Sequence, residues 1–104
     1  MRAVGFIGPS GTGKSYRAFW VAKERDIDYI IDDGLFICQN RVIAGKSAKK
    51  ELTKISSVKT ALFHEPNHRD LVIESIEKSK PESVLVLGTS DAMVDKIAET
   101  LKLG

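Results

Sequence analysis

The apolar positions of this chain follow two kinds of pattern, which take turns along its length. AVGFI at 3–7 is a nearly unbroken apolar run, the pattern of a strand buried on both faces. A glycine-rich turn follows. Then Ala18, Phe19, Val21 and Ala22 recur at helical spacing, which predicts a helix over 14–25. DYIID at 28–32 reads as a second buried strand. LFIC and RVIA on either side of Gln39-Asn40 predict a hairpin with a two-residue turn. Leu52, Ile55, Val58 and Leu62 mark a helix over about 49–63, and Pro66 opens another as an early helical residue. Leu71, Ile73 and Ile76 carry that helix to Lys80, where Pro81 stops it. SVLVL at 83–87 is a third buried strand. Val94, Ile97, Ala98 and Leu101 form the inner face of a last helix, whose start is capped by Thr89 or Ser90. Strands alternating with helices predict an α/β fold with three parallel strands, an added β-hairpin and right-handed crossovers.

Composition narrows the class without choosing a function. With 104 residues, 42% of them hydrophobic and 29% charged, the chain has the make-up of one globular domain over 1–104, whether whole or a module of a longer protein. No apolar run approaches membrane-spanning length and the start MRAVGFIGPS lacks a cleavable signal pattern, so no membrane partner is expected. Cys38 is the only cysteine and cannot form an internal disulfide, which points to a reducing cytoplasm. The net charge of +2 is unevenly spread: residues 1–40 are neutral, 41–60 carry +5 and 61–104 carry −3. The middle segment is therefore electropositive.

The chemistry concentrates in the first turn. Gly8-Pro9-Ser10-Gly11-Thr12-Gly13-Lys14-Ser15 fits the pattern G-x-x-x-x-G-K-[ST] without a gap. Its glycines let successive backbone N–H groups turn inward around phosphates, and the helix that follows adds the positive end of its dipole. Lys14 is placed to reach the outer phosphates, the Ser15 hydroxyl to ligate Mg²⁺, and Tyr16 continues the nucleotide-binding stretch into the helix. AGKS at 44–47 repeats the letters, but Asn40 stands where the first glycine should be and a hairpin leads into it, so it reads as a decoy.

Phosphoryl transfer also needs a carboxylate at the carboxyl end of a neighbouring strand. YIIDDGLF supplies Asp32 and Asp33 as catalytic groups and Mg²⁺ ligands, and neighbours on a strand face opposite ways, so one of the two is expected to look at the loop while the other caps or is solvated. The plain alternative is a pair of turn-forming aspartates before Gly34. After the third strand, Gly88-Thr89-Ser90-Asp91 offers a polar sensor of the γ-phosphate or, more simply, a helix cap.

On these residues the chain is identified as a member of the P-loop NTPase superfamily, over 3–25. The resemblance implies a small three-layer, Rossmann-like P-loop domain that binds ATP or ADP with Mg²⁺. The loop resembles that of ABC-type ATPases, but the chain has neither their LSGGQ-like signature nor a strand ending in Asp-Glu, and it has no Asn-Lys-x-Asp segment of Ras-type GTPases. Over 4–37 it is similar to the HPr kinase/phosphorylase family, where such a loop leads to a strand ending in two aspartates. That resemblance implies Lys14 and Ser15 on phosphate and Mg²⁺, with Asp32 or Asp33 as metal ligand and base. It ends at residue 40, so protein-kinase activity is not carried over. The chain also resembles the N-terminal nucleotide-binding part of longer bacterial proteins.

Two further stretches compete for attention. HEPNH at 64–68 spells the zinc-peptidase signature, but Pro66 inside it would break the helix both histidines must share, so no zinc is expected. The cluster of Lys46, Lys49, Lys50 and Lys54 reads as a solvated face or as a surface for phosphate or an acidic partner. No aromatic residues are interleaved to stack on bases, which disfavours nucleic acid. Arg41 and Arg69 are the candidates for a charge-neutralising arginine. The expected function is Mg-dependent ATP binding, either with weak ATPase or kinase-type transfer to an unidentified acceptor, or as a non-catalytic regulatory module with a protein partner.

Overall fold

The expected strand–helix alternation is realised, in one mixed sheet. A computed structural model describes residues 1–9 and 13–103. The elements in chain order are β1 (Arg2–Ile7), α1 (Lys14–Glu24), β2 (Tyr29–Asp32), β3 (Leu35–Cys38), β4 (Arg41–Gly45), a 3-10 turn (Ala48–Lys50), α2 (Lys54–Ala61), α3 (Pro66–Ser79), β5 (Ser83–Gly88) and α4 (Asp91–Thr100). The sheet order is β1-β5-β2-β3-β4. The expected parallel strands and added hairpin thus become five strands joined by two parallel pairs, both made by β5, and two antiparallel pairs. Its radius of gyration is 12.4 Å, close to the roughly 13 Å of a compact chain this long.

Alternation along β5 divides the core. Val84 and Val86 face one side, where they meet Val72 and Ile76 of α3 and Val94 and Ile97 of α4. Leu85 and Leu87 face the other, against Ala18 and Ala22 of α1. All four β5 side chains are fully buried, as a strand covered on both faces requires. The same expectation fails for β1. It lies at the sheet's edge and is only partly buried, because β5 takes the inner position beside it. Gly5 and Gly88 let α4 come close: a Cβ at either would stand 3.1 or 2.9 Å from Val94 methyls.

Both two-residue turns are built from residues that tolerate positive φ. Gln39 and Asn40 have φ of 46° and 71° and join β3 to β4, as expected. Asp33 and Gly34, at 56° and 89°, join β2 to β3, with Asp32 paired to Leu35. Asp-Gly is a strong hairpin signal, and here it folds the carboxylate strand back on itself.

The single helix expected over about 49–63 divides in two. Glu51 is extended, at φ −74° and ψ 143°, and ends the 3-10 turn. Thr53 then starts α2 afresh, its side chain accepting from Ser56 N. The restart changes which face looks inward. Of the expected inner stripe, Leu52, Ile55 and Val58 are 99%, 71% and 50% exposed and only Leu62 packs against the core, while Thr60 is buried. In α3 the inward residues are His68, Val72 and Ile76, and Leu71 is exposed. No helix among the described residues is long and apolar enough to cross a membrane.

Candidate functional site

Strands β1, β5 and β2 end on one edge of the sheet, at Ile7, Gly88 and Asp32. Gly8, whose N–H donates to the Gly88 carbonyl at 3.1 Å, and the first turn of α1 lie on this edge. Lys14 Nζ donates to the Gly8 carbonyl at 2.9 Å and to the Gly88 carbonyl at 3.2 Å, so one ammonium spans the ends of β1 and β5. Its aliphatic stem covers Gly8, where a Cβ would meet Lys14 Cδ at 3.5 Å and Arg17 Nη2 at 3.8 Å. The loop motif does not include Arg17, although its spacing from Lys14 puts both on one helix face.

Gly13 caps α1 at φ 73°, and the space where its Cβ would stand is open. No side chain caps α1 at Gly13, and its first turn holds no acidic residue. The positive end of the helix dipole therefore has no acidic partner from its own first turn. Tyr16 is exposed, its ring edge-on to Trp20 with centroids 6.5 Å apart. Ser10, Gly11 and Thr12, the middle of the expected loop, lie outside the described residues.

The two aspartates separate. Ser15 Oγ donates to Asp32 Oδ2 at 2.5 Å, so Asp32 is the carboxylate that looks at the loop. It does so from a strand one removed from β1 and not adjacent to it, because β5 lies between. Asp33 Oδ2 instead accepts from Ser47 Oγ at 2.8 Å and Lys49 N at 3.2 Å, tying the β2–β3 turn to the 3-10 turn. Ser47 also accepts from Lys49 N, so the decoy letters Gly45-Lys46-Ser47 end a strand and cap a turn. Magnesium needs only one or two protein oxygens beside phosphate oxygens and water, and a hydroxyl with a carboxylate is a set of that chemistry.

Between α2 and α4 the edge opens into a cleft of about 540 Å³. Lys14, Asp32 and Asp33 form one side of it, Val58, Leu62 and Met93 give apolar walls, and Thr89 and Lys96 add polar groups. Ser90 is the cap of α4, accepting from Met93 N at 3.1 Å, while Thr89 Oγ1 lies 3.5 Å from Met93 Sδ. The loop motif predicts neither Met93 nor Lys96; only the tertiary fold, which lets α2 and α4 line one cleft, reveals them.

The remaining candidates lie elsewhere. Pro66 occupies the first turn of α3, which leaves His64 before the helix and His68 within it. His68 is buried and stacks on Phe63 at 4.8 Å between centroids. Its Nε2 lies 2.8 Å from the Gly34 carbonyl and 3.3 Å from Lys46 N, donating to the first or accepting from the second according to its tautomer, and its buried Nδ1 has no partner among the described residues. His68 therefore abuts the turn that carries Asp33. No group of three or more His, Cys, Asp or Glu able to hold a metal occurs among the described residues. Arg41 opens β4 at the opposite edge, beside the turn that bonds to the Asp28 carbonyl, and Arg69 pairs with Asp70 at 3.3 Å. Neither lines the cleft.

Lys46 links the end of β4 to α3, its Nζ 3.2 Å from Glu65 Oε2 and 3.7 Å from Glu51 Oε1. The hydrogen bond to Glu65 raises its pKa, against some desolvation and with help from both carboxylate charges. Because the folded ammonium holds its proton above its unfolded value, this contribution is present at neutral pH and fades as pH rises through the raised value. The pair is exposed, so its contribution is small. Comparison with family models, curated proteins and solved structures gives no match to this chain.

Proposed function

We propose that this chain binds Mg-ATP at the carboxyl edge of its sheet and transfers or hydrolyses the γ-phosphoryl group slowly. The observation that carries this reading is the short Ser15–Asp32 hydrogen bond beside an ammonium held at the ends of β1 and β5. Lys14 is poised to exchange backbone carbonyls for phosphate oxygens, which bind a cation more strongly. Bound Mg²⁺ supplies charge neutralisation on the outer phosphates. In this reading Asp32 orients the attacking oxygen and takes its proton, and backbone N–H groups at the start of α1 hold the phosphates. The fold finds its natural description as a small P-loop domain, with ligand binding where the parallel strands end.

The test is a melting scan of the wild type and Lys14→Ala with Mg-ATP and with Mg-GTP. At a hundredfold over the dissociation constant, ATP is expected to add about 2.7 kcal/mol. In a domain of this size that raises Tm by on the order of 10 °C. Lys14→Ala is expected to lose that shift. An unchanged wild-type curve would refute the proposal.

A second reading is a non-catalytic ATP-binding module whose occupancy alters contact with another protein. The exposure of Leu52, Ile55 and Val58 within seven residues favours it, since exposed apolar surface can mark an interaction site. Tight ATP binding without ADP release over hours would select it over the enzyme.

A further inference from the structure

The 540 Å³ cleft is within the range of small-molecule sites and larger than the phosphate-binding edge alone requires. It opens beside the face of the sheet covered by α3 and α4, whereas α1 packs on the other face. The two faces meet at Lys14 and Asp32, which belong to the cleft wall. Whatever fills the cleft therefore touches the groups that would handle the γ-phosphate.

The chemistry of the wall is mixed. Asp32 and Asp33 bring carboxylates to it, and Val58, Leu62 and Met93 bring apolar side chains. Lys96 lies one helical turn beyond Met93, and no ion pair or hydrogen bond holds its ammonium among the described residues. An anionic group would be repelled by the aspartates and drawn to Lys96. A hydroxyl would be accepted at Asp32. Only one orientation satisfies both.

We infer that the cleft receives the phosphoryl acceptor, a small hydroxyl compound with an apolar body and an anionic group seated on Lys96. The inference rests on the ATP reading above and extends it to the second substrate. In the transfer, the acceptor oxygen forms a bond to the γ-phosphorus as the bond to the bridging oxygen breaks. ADP leaves with that electron pair, and the acceptor's proton passes to the Asp32 carboxylate and on to water.

The probe is para-hydroxymethylbenzoate, compared with its neutral amide, followed by methyl and amide NMR of the full chain with and without a non-hydrolysable Mg-ATP analogue. The benzoate is expected to shift Val58, Leu62 and Met93 methyls and to bind about tenfold tighter than the amide, the discrimination of one charge-assisted contact. Lys96→Ala should bring the benzoate to the level of the amide, and Lys96→Arg should restore the difference. Equal affinity of acid and amide, absence of shifts at millimolar probe, or displacement of the benzoate by the nucleotide analogue would overturn the inference. Nucleotide binding is read separately at the Gly13 and Ser15 amides. If those stay unmoved while the benzoate still binds through Lys96, the ATP reading fails and the acceptor role falls with it. If they move and acid and amide bind alike, the subsite alone fails.

Discussion

Asp32 and Asp33 are adjacent in the chain yet take up different work, because the strand ends between them. Asp32 is still in β2 and meets Ser15, while Asp33 is already in the turn at positive φ, where its carboxylate caps the 3-10 turn. Substituting each by asparagine should separate these roles. Asp32→Asn keeps an acceptor for Ser15 but removes the base, and it is expected to lower ADP release at least about 100-fold. Asp33→Asn is expected to lower stability by about 1 kcal/mol through a weakened cap, with most turnover kept. A coupled ADP assay beside urea titrations of both variants checks the pair. Equal loss of turnover in the two would remove the distinction. The YIIDDGLF stretch marked both carboxylates, but which one faces the loop depended on where the strand stopped.

Among the elements, the hairpin turn at Gly34 controls the most. Its φ is 89°, and a Cβ there would overlap the Lys46 carbonyl oxygen and press Thr60 Cγ2 at 3.1 Å. His68 Nε2 from α3 lies 2.8 Å from the Gly34 carbonyl. Gly34→Ala is thus expected to lose about 2 kcal/mol or more, from backbone strain before any packing is counted. Urea midpoints measure this, and a loss under about 0.5 kcal/mol would show that the turn relaxes freely. The helical stretch at 49–63 illustrates the opposite case. Its apolar spacing promised one buried helix, but the caps at Ser47 and Thr53 started two short elements out of phase. Capping is legible locally, yet the outward turn of Ile55 is a matter of what α2 packs against.

Over the whole molecule, burial is decided by where each segment comes to lie. Leu85 of β5 is 1% exposed, and Leu52 is 99% exposed although both are leucines in apolar patterns. Leu85→Ala is expected to cost about 2–5 kcal/mol, and Leu52→Ser less than about 0.5 kcal/mol. Thermal melts of the two variants compare them directly. Comparable losses would mean that Leu52 is covered in solution, which would point to self-association. The Mg-ATP melting shift belongs to this scale as well, since ligand binding to the folded state alone stabilises the entire cooperative unit.

The sequence alone determined the types of most elements and many of their ends, and it carries a stretch of phosphate-loop pattern before α1. Periodicity, glycines, prolines and caps act through neighbours a few residues away, so they leave local marks. Even the Asp33-Gly34 turn carried such a mark. The tertiary structure alone decided that β5 inserts between β1 and β2, that β1 is left at an edge, and that Ser15 reaches Asp32 across the sheet. It also decided that Met93 and Lys96 share a cleft with them. Those outcomes come from pairings between distant segments, whose energies depend on which surfaces meet, and no short stretch of sequence records that choice.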